Sequence, residues 1–192
     1  MPNGENLRFR PAGLADAEAV ASLHADSWRR HYRGAYSDVY LDGDVVGDRL
    51  AVWTDRLREP NPQRCTILAE YGGLVGFANT FFDDDPTWGA LLDNLHVAEA
   101  HKRRGIGSRL LALTAEAVIR RAGSGLYLWV LEQNASAQAF YHARGGRRVG
   151  RGLVSPPGGI PSRLTGSPAK LRFAWTDPTV LRRSTEAPAP VA

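Results

Sequence analysis

The sequence predicts a single α/β domain, and three observations carry that prediction. Segments with strand-type alternation and segments with helical periodicity follow one another along the chain, with no internal repeat and no break in composition. A length of 192 residues is enough for one sizeable core. The content, 43% hydrophobic and 23% charged, is that of an ordinary globular chain.

The elements follow in order. Residues 7–10 alternate as a first strand, and Asp16 caps a helix that reaches His31. Past a turn at Gly34, one helical region runs from 38 to 58 and stops at Pro60. Residues 66–71 and 74–82, joined by Gly72 and Gly73, read as a hairpin that ends in Asp83, Asp84, Asp85 and Pro86. A strand over 90–97 leads through a polar turn into a helix over 106–122. Ile106, Leu110, Leu111, Leu113, Val118 and Ile119 give that helix one apolar stripe, and Gly123 and Gly125 stop it. The continuously apolar run 126–131 reads as a central strand, 135–144 as a helix, and 149–154 and 170–175 as the last strands. Residues 155–168 are too rich in Pro and Gly for regular structure. The domain therefore spans 1–176, with 177–192 expected as a disordered tail.

Composition excludes several functions. The apolar runs are strand-length and the N-terminus lacks the apolar segment of a signal peptide, so no membrane association and a cytoplasmic location are expected. Cys65 is the one cysteine, lies in an apolar stretch and reads as a small buried hydrophobe. The net charge of +4 invites a nucleic-acid partner, but 22 of the 24 basic residues are Arg, spread along the chain. No nucleic-acid motif and no metal-ligand spacing accompanies them, so neither partner is expected.

The most informative stretch is LHVAEAHKRRGIGSRL, from Leu95 to Leu110. Gly105 and Gly107 remove the Cβ atoms that would block close backbone approach. The amides from Arg103 to Ser108 can then converge at a helix N-terminus, whose dipole favours an anion, and Lys102, Arg103 and Arg104 add positive charge. A dinucleotide fingerprint is excluded by Leu110 where a third glycine is required, and a Walker loop by the absence of Gly-Lys-Ser/Thr.

The pattern from Lys102 to Gly107 resembles the (Gln/Arg)-x-x-Gly-x-Gly/Ala signature of the GCN5-related N-acetyltransferase (GNAT) family, with Lys at its first position. LYLWVLEQNASAQAFYHARG, residues 126–145, is similar to that family's second shared block, and HADSWRRHYRGAY (24–36) and LDNLHV (92–97) to stretches of bacterial small-molecule members. The resemblance implies a mixed, mostly antiparallel sheet of six to seven strands flanked by about four helices and splayed where acetyl-coenzyme A inserts. It implies acetyl transfer to a primary amine of a small molecule within a ternary complex, with a homodimer left open. It places Leu95, His96, Val97, the run from Lys102 through Ile106 to Ser108, Asn134 and Tyr141 at the cofactor, and Trp28, Tyr32 and Asp93 at the acceptor. Two departures stand out: Gly146 replaces a usual aromatic, and Leu91 stands where many relatives carry a strand Glu. They leave open a coenzyme A-binding sensor, beside a protein or peptide N-terminal acetyltransferase.

Acetyl transfer to an amine needs a proton taken from the amine, a stabilised oxyanion and a proton given to the thiolate. An amine with pKa near 10 is only about one part in a thousand neutral at pH 7, a penalty of roughly 4 kcal/mol. Asp93 and His96 are the candidate bases. Regular alternation puts Asp93, Leu95 and Val97 on one face and Asn94 and His96 on the other, a parity that a bulge would shift. Each residue also fits a structural role, a carboxylate satisfied by loop amides and a neutral core imidazole. A backbone N–H near Val97 can meet the oxyanion. The resemblance puts Tyr141 beside the thioester sulfur as the acid. Trp28, Tyr32 and Tyr36 recur at helical spacing and Asp83 to Asp85 could attract a cation, but neither names the amine.

Overall fold

The computed structural model describes residues 6–183. Seven strands form one sheet: β1 (Arg8–Pro11), β2 (Arg64–Glu70), β3 (Leu74–Asp85), β4 (Gly89–Val97), β5 (Leu126–Leu131), β6 (Arg147–Leu153) and β7 (Ala169–Trp175). The helices are α1 (Ala17–His31), α2 (Asp38–Asp42), α3 (Val45–Leu57), α4 (Ile106–Arg120), α5 (Ala135–His142) and α6 (Val180–Arg183). The strand order is β1-β2-β3-β4-β5-β7-β6, and β4 with β5 is its one parallel pair.

Six helices stand where about four were expected. The region 38–58 divides at Gly43, and Asp44 restarts it by accepting the Gly47 N–H at 2.9 Å, an N-cap inside what the pattern presents as one helix. Asp16 precedes α1 without capping it through its side chain. Its carboxylate instead accepts from the Gly13 N–H and from the Arg10 guanidinium. β3 runs on to Asp85, because Asp83 takes a left-handed backbone (φ 53°) and pairing resumes at Asp85 opposite Gly89. Part of the segment expected as a disordered tail is helical. Leu181 on α6 is buried in the core beside α4, and residues 184–192 lie outside the described ones.

The two faces of the sheet bury different sets. Ala90, Leu92, Leu126, Leu128 and Val130 meet Ile106, Leu110, Leu111 and Val118 of α4, each large side chain contributing about 1.5–3 kcal/mol on burial. The other face packs Phe77 against α1 and Trp53 of α3, and Leu131 against Trp28 and Tyr36. Gly146 has a packing reason: a Cβ there would stand 2.8 Å from the Trp175 ring and 2.9 Å from the Tyr141 carbonyl. Trp175 fills the space a larger residue at 146 would take, and its indole N–H bonds the Arg144 carbonyl at 2.8 Å.

Candidate active site

Two irregularities in the sheet create the site. β4 and β5 pair only at Ala90 with Leu126 and Leu91 with Tyr127, and beyond Leu91 they part. The Ala98 N–H bonds the Val75 carbonyl at 2.8 Å, so antiparallel alternation turns the N–H groups of Leu95 and Val97 away from β3 and into the opening. The second irregularity is a bulge: Asn79 pairs with Asn94 and Thr80 with Leu92, which leaves Asp93 as the extra residue. The parity expected of a regular strand fails there. Leu92, Leu95 and Val97 all pack toward α4, while Asp93 and Asn94 both bond Arg56 of α3, at 2.8 and 3.1 Å.

A cavity of about 590 Å³ fills the opening. At one end lies the mouth of α4. Gly105 is left-handed (φ 80°) at the N-cap, and Arg103 before it takes a positive φ of 62°, which bends the chain so that the first amides of the helix face the cavity. The basic run is divided. Lys102 donates to the His31 Nε2 at 2.8 Å and pairs with Glu99 at 2.7 Å, and Arg104 stands outside the lining. Arg103 and the paired Lys102 line the mouth, and a further cation there is Arg144, just beyond α5. Arg144 bonds the Ser108 hydroxyl and packs over Phe140 at 3.9 Å from the ring centre. Asn134 caps α5 by accepting the Ala137 N–H at 3.1 Å, which leaves its amide NH2 as the free donor. These groups fit an anion at the helix mouth. The Leu92, Leu95, Leu128 and Val130 walls fit an uncharged chain running inward from it.

At the other end Tyr32, Asp93 and Tyr141 meet. Burial and the negative charge of Asp93 push the Tyr32 phenol up to about 12. Burial, with Tyr32 adding to it, pushes Tyr141 well above its usual value. The Tyr141 ring packs among Phe140, Phe173 and Trp175. Its hydroxyl has no hydrogen-bond partner among the described residues. Trp28, expected at the acceptor, is instead buried beneath Tyr32 and Tyr36 with the Arg49 guanidinium over its ring at 4.3 Å.

His96 lines the cavity but is bound to the protein. Its Nδ1 is 2.7 Å from the Ser27 hydroxyl, and burial, then His31 and Lys102, push its pKa down to about 3. His24, 4.8 Å away ring to ring, is buried, accepts the Trp53 indole N–H at 3.0 Å and is also held well below the usual histidine range. A histidine protonates near pH 6.5 in the unfolded chain, whereas folded His96 resists to about pH 3, so in that window the unfolded state binds more protons and stability falls as pH drops. Each buried histidine contributes up to about 1.4 kcal/mol per pH unit. Urea unfolding followed from pH 6.5 to 5, above the carboxylate range, should show this loss; a flat midpoint there would mean that the imidazoles are protonated in the folded protein.

The sequence pattern did not single out Ser27, Arg56, Trp129 or Arg144, yet the first and the last two line the cavity and Arg56 holds Asp93. Arg144 had a readable signal only as a cation near a helix C-terminus, which is ordinary dipole pairing. Ser27 and Trp129 lie in stretches that resemble the family but at positions no pattern marks, and Arg56 lies outside those stretches.

The Acetyltransferase (GNAT) family model matches residues 18–145. The chain is 30% identical over 147 residues to the uncharacterized N-acetyltransferase YuaI of Bacillus subtilis, covering 74% of this chain and 82% of YuaI. Its fold is similar to that of the PaiA N-acetyltransferase from Thermoplasma acidophilum, solved in complex with coenzyme A, at TM-score 0.68 and 18% identity over 88% of this chain and 99% of that one. It is also similar to YncA from Salmonella typhimurium, solved with acetyl-CoA, at TM-score 0.63 and 19% identity over 97% and 99% of the two chains. A splayed β4–β5 pair, a glycine-led helix mouth beside it and a family match across both make this chain a member of the GNAT family of acetyl-CoA-dependent acetyltransferases.

Proposed function

We propose that the protein acetylates the primary amine of a small molecule by direct transfer within a ternary complex. The observation that carries this reading is the meeting of Asp93, Tyr32 and Tyr141 at the inner end of the cavity whose outer end is the α4 mouth. Acetyl-CoA supplies an activated acetyl thioester; the amine nitrogen bonds the acetyl carbon, the carbon–sulfur bond breaks and sulfur leaves as thiolate. The amides at the start of α4, with Arg103 and Arg144, hold the pyrophosphate, and Leu92, Leu95, Leu128 and Val130 exclude water around the connecting arm. The Leu95 and Val97 N–H groups supply fixed donors for the carbonyl oxygen as charge develops on it.

Proton traffic divides between two side chains. Arg56 binds one oxygen of Asp93 at 2.8 Å and leaves the other without a partner among the described residues, so that oxygen can receive the ammonium proton, directly or through water. Tyr141 stays protonated through burial and gives its phenolic proton to the sulfur as the carbon–sulfur bond breaks; the proton taken up by Asp93 returns to it through solvent and restores both groups. His96 is a weak base at about 3, and its role is to orient Ser27 and the β4 backbone.

The reading is tested by thiol release from acetyl-CoA across amines, amino acids, polyamines and peptides. Initial velocities should give intersecting double-reciprocal lines. Parallel lines would indicate an acetyl-enzyme, with Ser27 the hydroxyl to examine. Asp93→Asn should cut kcat/KM at neutral pH by about tenfold or more and recover as pH rises and more amine is already neutral. The wild-type profile should carry no limb near pH 6.5, and His96→Gln should have the smaller effect. A limb there that only His96→Gln erases would transfer the base role to His96.

A further inference from the structure

β7 carries two cations, Lys170 and Arg172, with little negative charge to balance them. The register sets Trp129 opposite Arg172 and Leu131 opposite Lys170, so these side chains share the face on which Leu131 meets Trp28 and Asp93 meets Arg56. The edge strand β6 sets Gly150 opposite Arg172 and Gly152 opposite Lys170, and no side chain from it covers either cation. The Lys170 ammonium and the Arg172 guanidinium each lie 4.6 Å from the centre of the Trp129 ring. Trp129 itself lines the cavity that holds Asp93 and Tyr141. Arg172 is further packed by Tyr127 at 5.1 Å and Trp88 at 5.8 Å, and Asp85 approaches it only to 3.9 Å. Lys170 has no ion pair or hydrogen bond among the described residues. It is half-buried, and burial and Arg172 hold its pKa below the usual lysine value, while Asp93 lies near enough to oppose them.

Arg172 has Asp85 at 3.9 Å, but Lys170, half-buried on the same ring, lacks a carboxylate partner among the described residues, and partly desolvated charge is costly until it is paired. A Cβ at Gly150 or Gly152 would meet only Arg172, Trp129 and Lys170, no closer than 3.5 Å, so no β6 side chain stands over either cation. Lys170 stands outside the cavity lining, but it lies on the ring of Trp129, which lines the cavity, and close enough to Asp93 to feel its charge.

We infer that the acceptor is a carboxylate-bearing amine of the amino-acid type, its amine at Asp93 and Tyr141, its carboxylate, on the same carbon, bound by Lys170, and its side chain against Trp129. Arg172, held behind by Tyr127 and Trp88, is a positioning residue for that end of the cleft. The inference rests on the acetyltransferase reading above and narrows it, because a polyamine or other purely cationic acceptor would meet repulsion from Lys170 and Arg172.

The test compares three acceptor pools by thiol release: L-amino acids, their carboxamides, and the corresponding decarboxylated amines. The acids should exceed both other pools in kcat/KM by about ten- to a hundredfold, the loss expected on removing one hydrogen bond to a charged group. Lys170→Gln should collapse that ratio through KM while leaving the acetyl-CoA Kd unchanged, and Lys170→Arg should retain most of it. Carboxamides or decarboxylated amines that turn over as well as the acids would overturn the inference and leave the acetyltransferase reading standing, as would an acid preference that Lys170→Gln does not alter. No release with any pool, from protein that binds acetyl-CoA, would overturn the small-molecule reading and this inference with it. The wild-type ratio needs no variant, so it decides the question even if Lys170→Gln fails to fold.

Discussion

Gly107→Glu should abolish acetyl-CoA binding while the domain stays folded. A Cβ at this position would meet Phe140 at 3.4 Å and Val97 at 3.7 Å, ordinary contact, so the backbone does not reject a side chain. Gly107 is the second residue of α4, where a carboxylate interacts favourably with the helix dipole and stabilises the helix by about 0.3–1 kcal/mol. The same carboxylate would occupy and charge the mouth that the first amides of α4 offer to pyrophosphate. Titration calorimetry should show the heat of binding lost, with a thermal midpoint at or slightly above wild type, and Gly107→Ala should still bind. An unchanged affinity in folded Gly107→Glu would mean that the anion lies elsewhere, and the assignment of this end of the cavity would fall.

Tyr141→Phe should lower kcat by about ten- to a thousandfold and leave the acetyl-CoA Kd nearly unchanged, the loss expected on removing a general acid. The ring does the packing, among Phe140, Phe173 and Trp175, and Phe preserves it. The hydroxyl has no partner among the described residues, so its removal leaves no buried group unsatisfied. Single-turnover measurement isolates the chemical step from product release. A single-turnover rate equal to wild type would show that the sulfur leaves unprotonated or takes its proton from another group.

These two residues differ from Asp93 in how far the sequence alone locates them. Gly107 is defined by its neighbours: a strand, a glycine pair and a helix follow one another within the run from Leu95 to Leu110, and the chemistry needs only the local backbone. Asn134 and Tyr141 likewise sit on one short helix, and helical geometry alone relates them. For Asp93, alternation gives the wrong face, because the bulge opposite Asn79 and Thr80 turns it toward Arg56. A bulge is set by how two strands pair, so no single-strand pattern contains it.

The sequence by itself determined the order of strands and helices, the glycine-led loop at the mouth of α4 and the family to which the chain is similar. All are local, within one or two consecutive elements, where periodicity and glycine placement are sufficient. Tertiary structure decided which charges are available. Lys102 is taken up by Glu99 and His31, Arg144 reaches Ser108 from beyond α5, and Lys170 and Arg172 stand over Trp129 because β6 presents glycines beside them. It also buried Trp28 and let Trp175 fill the space beside Gly146. Charge pairing and close packing join residues far apart in the chain, so the identity of a residue shows that it can carry charge or fill volume, and only its neighbours in space decide whether it is free to meet a ligand.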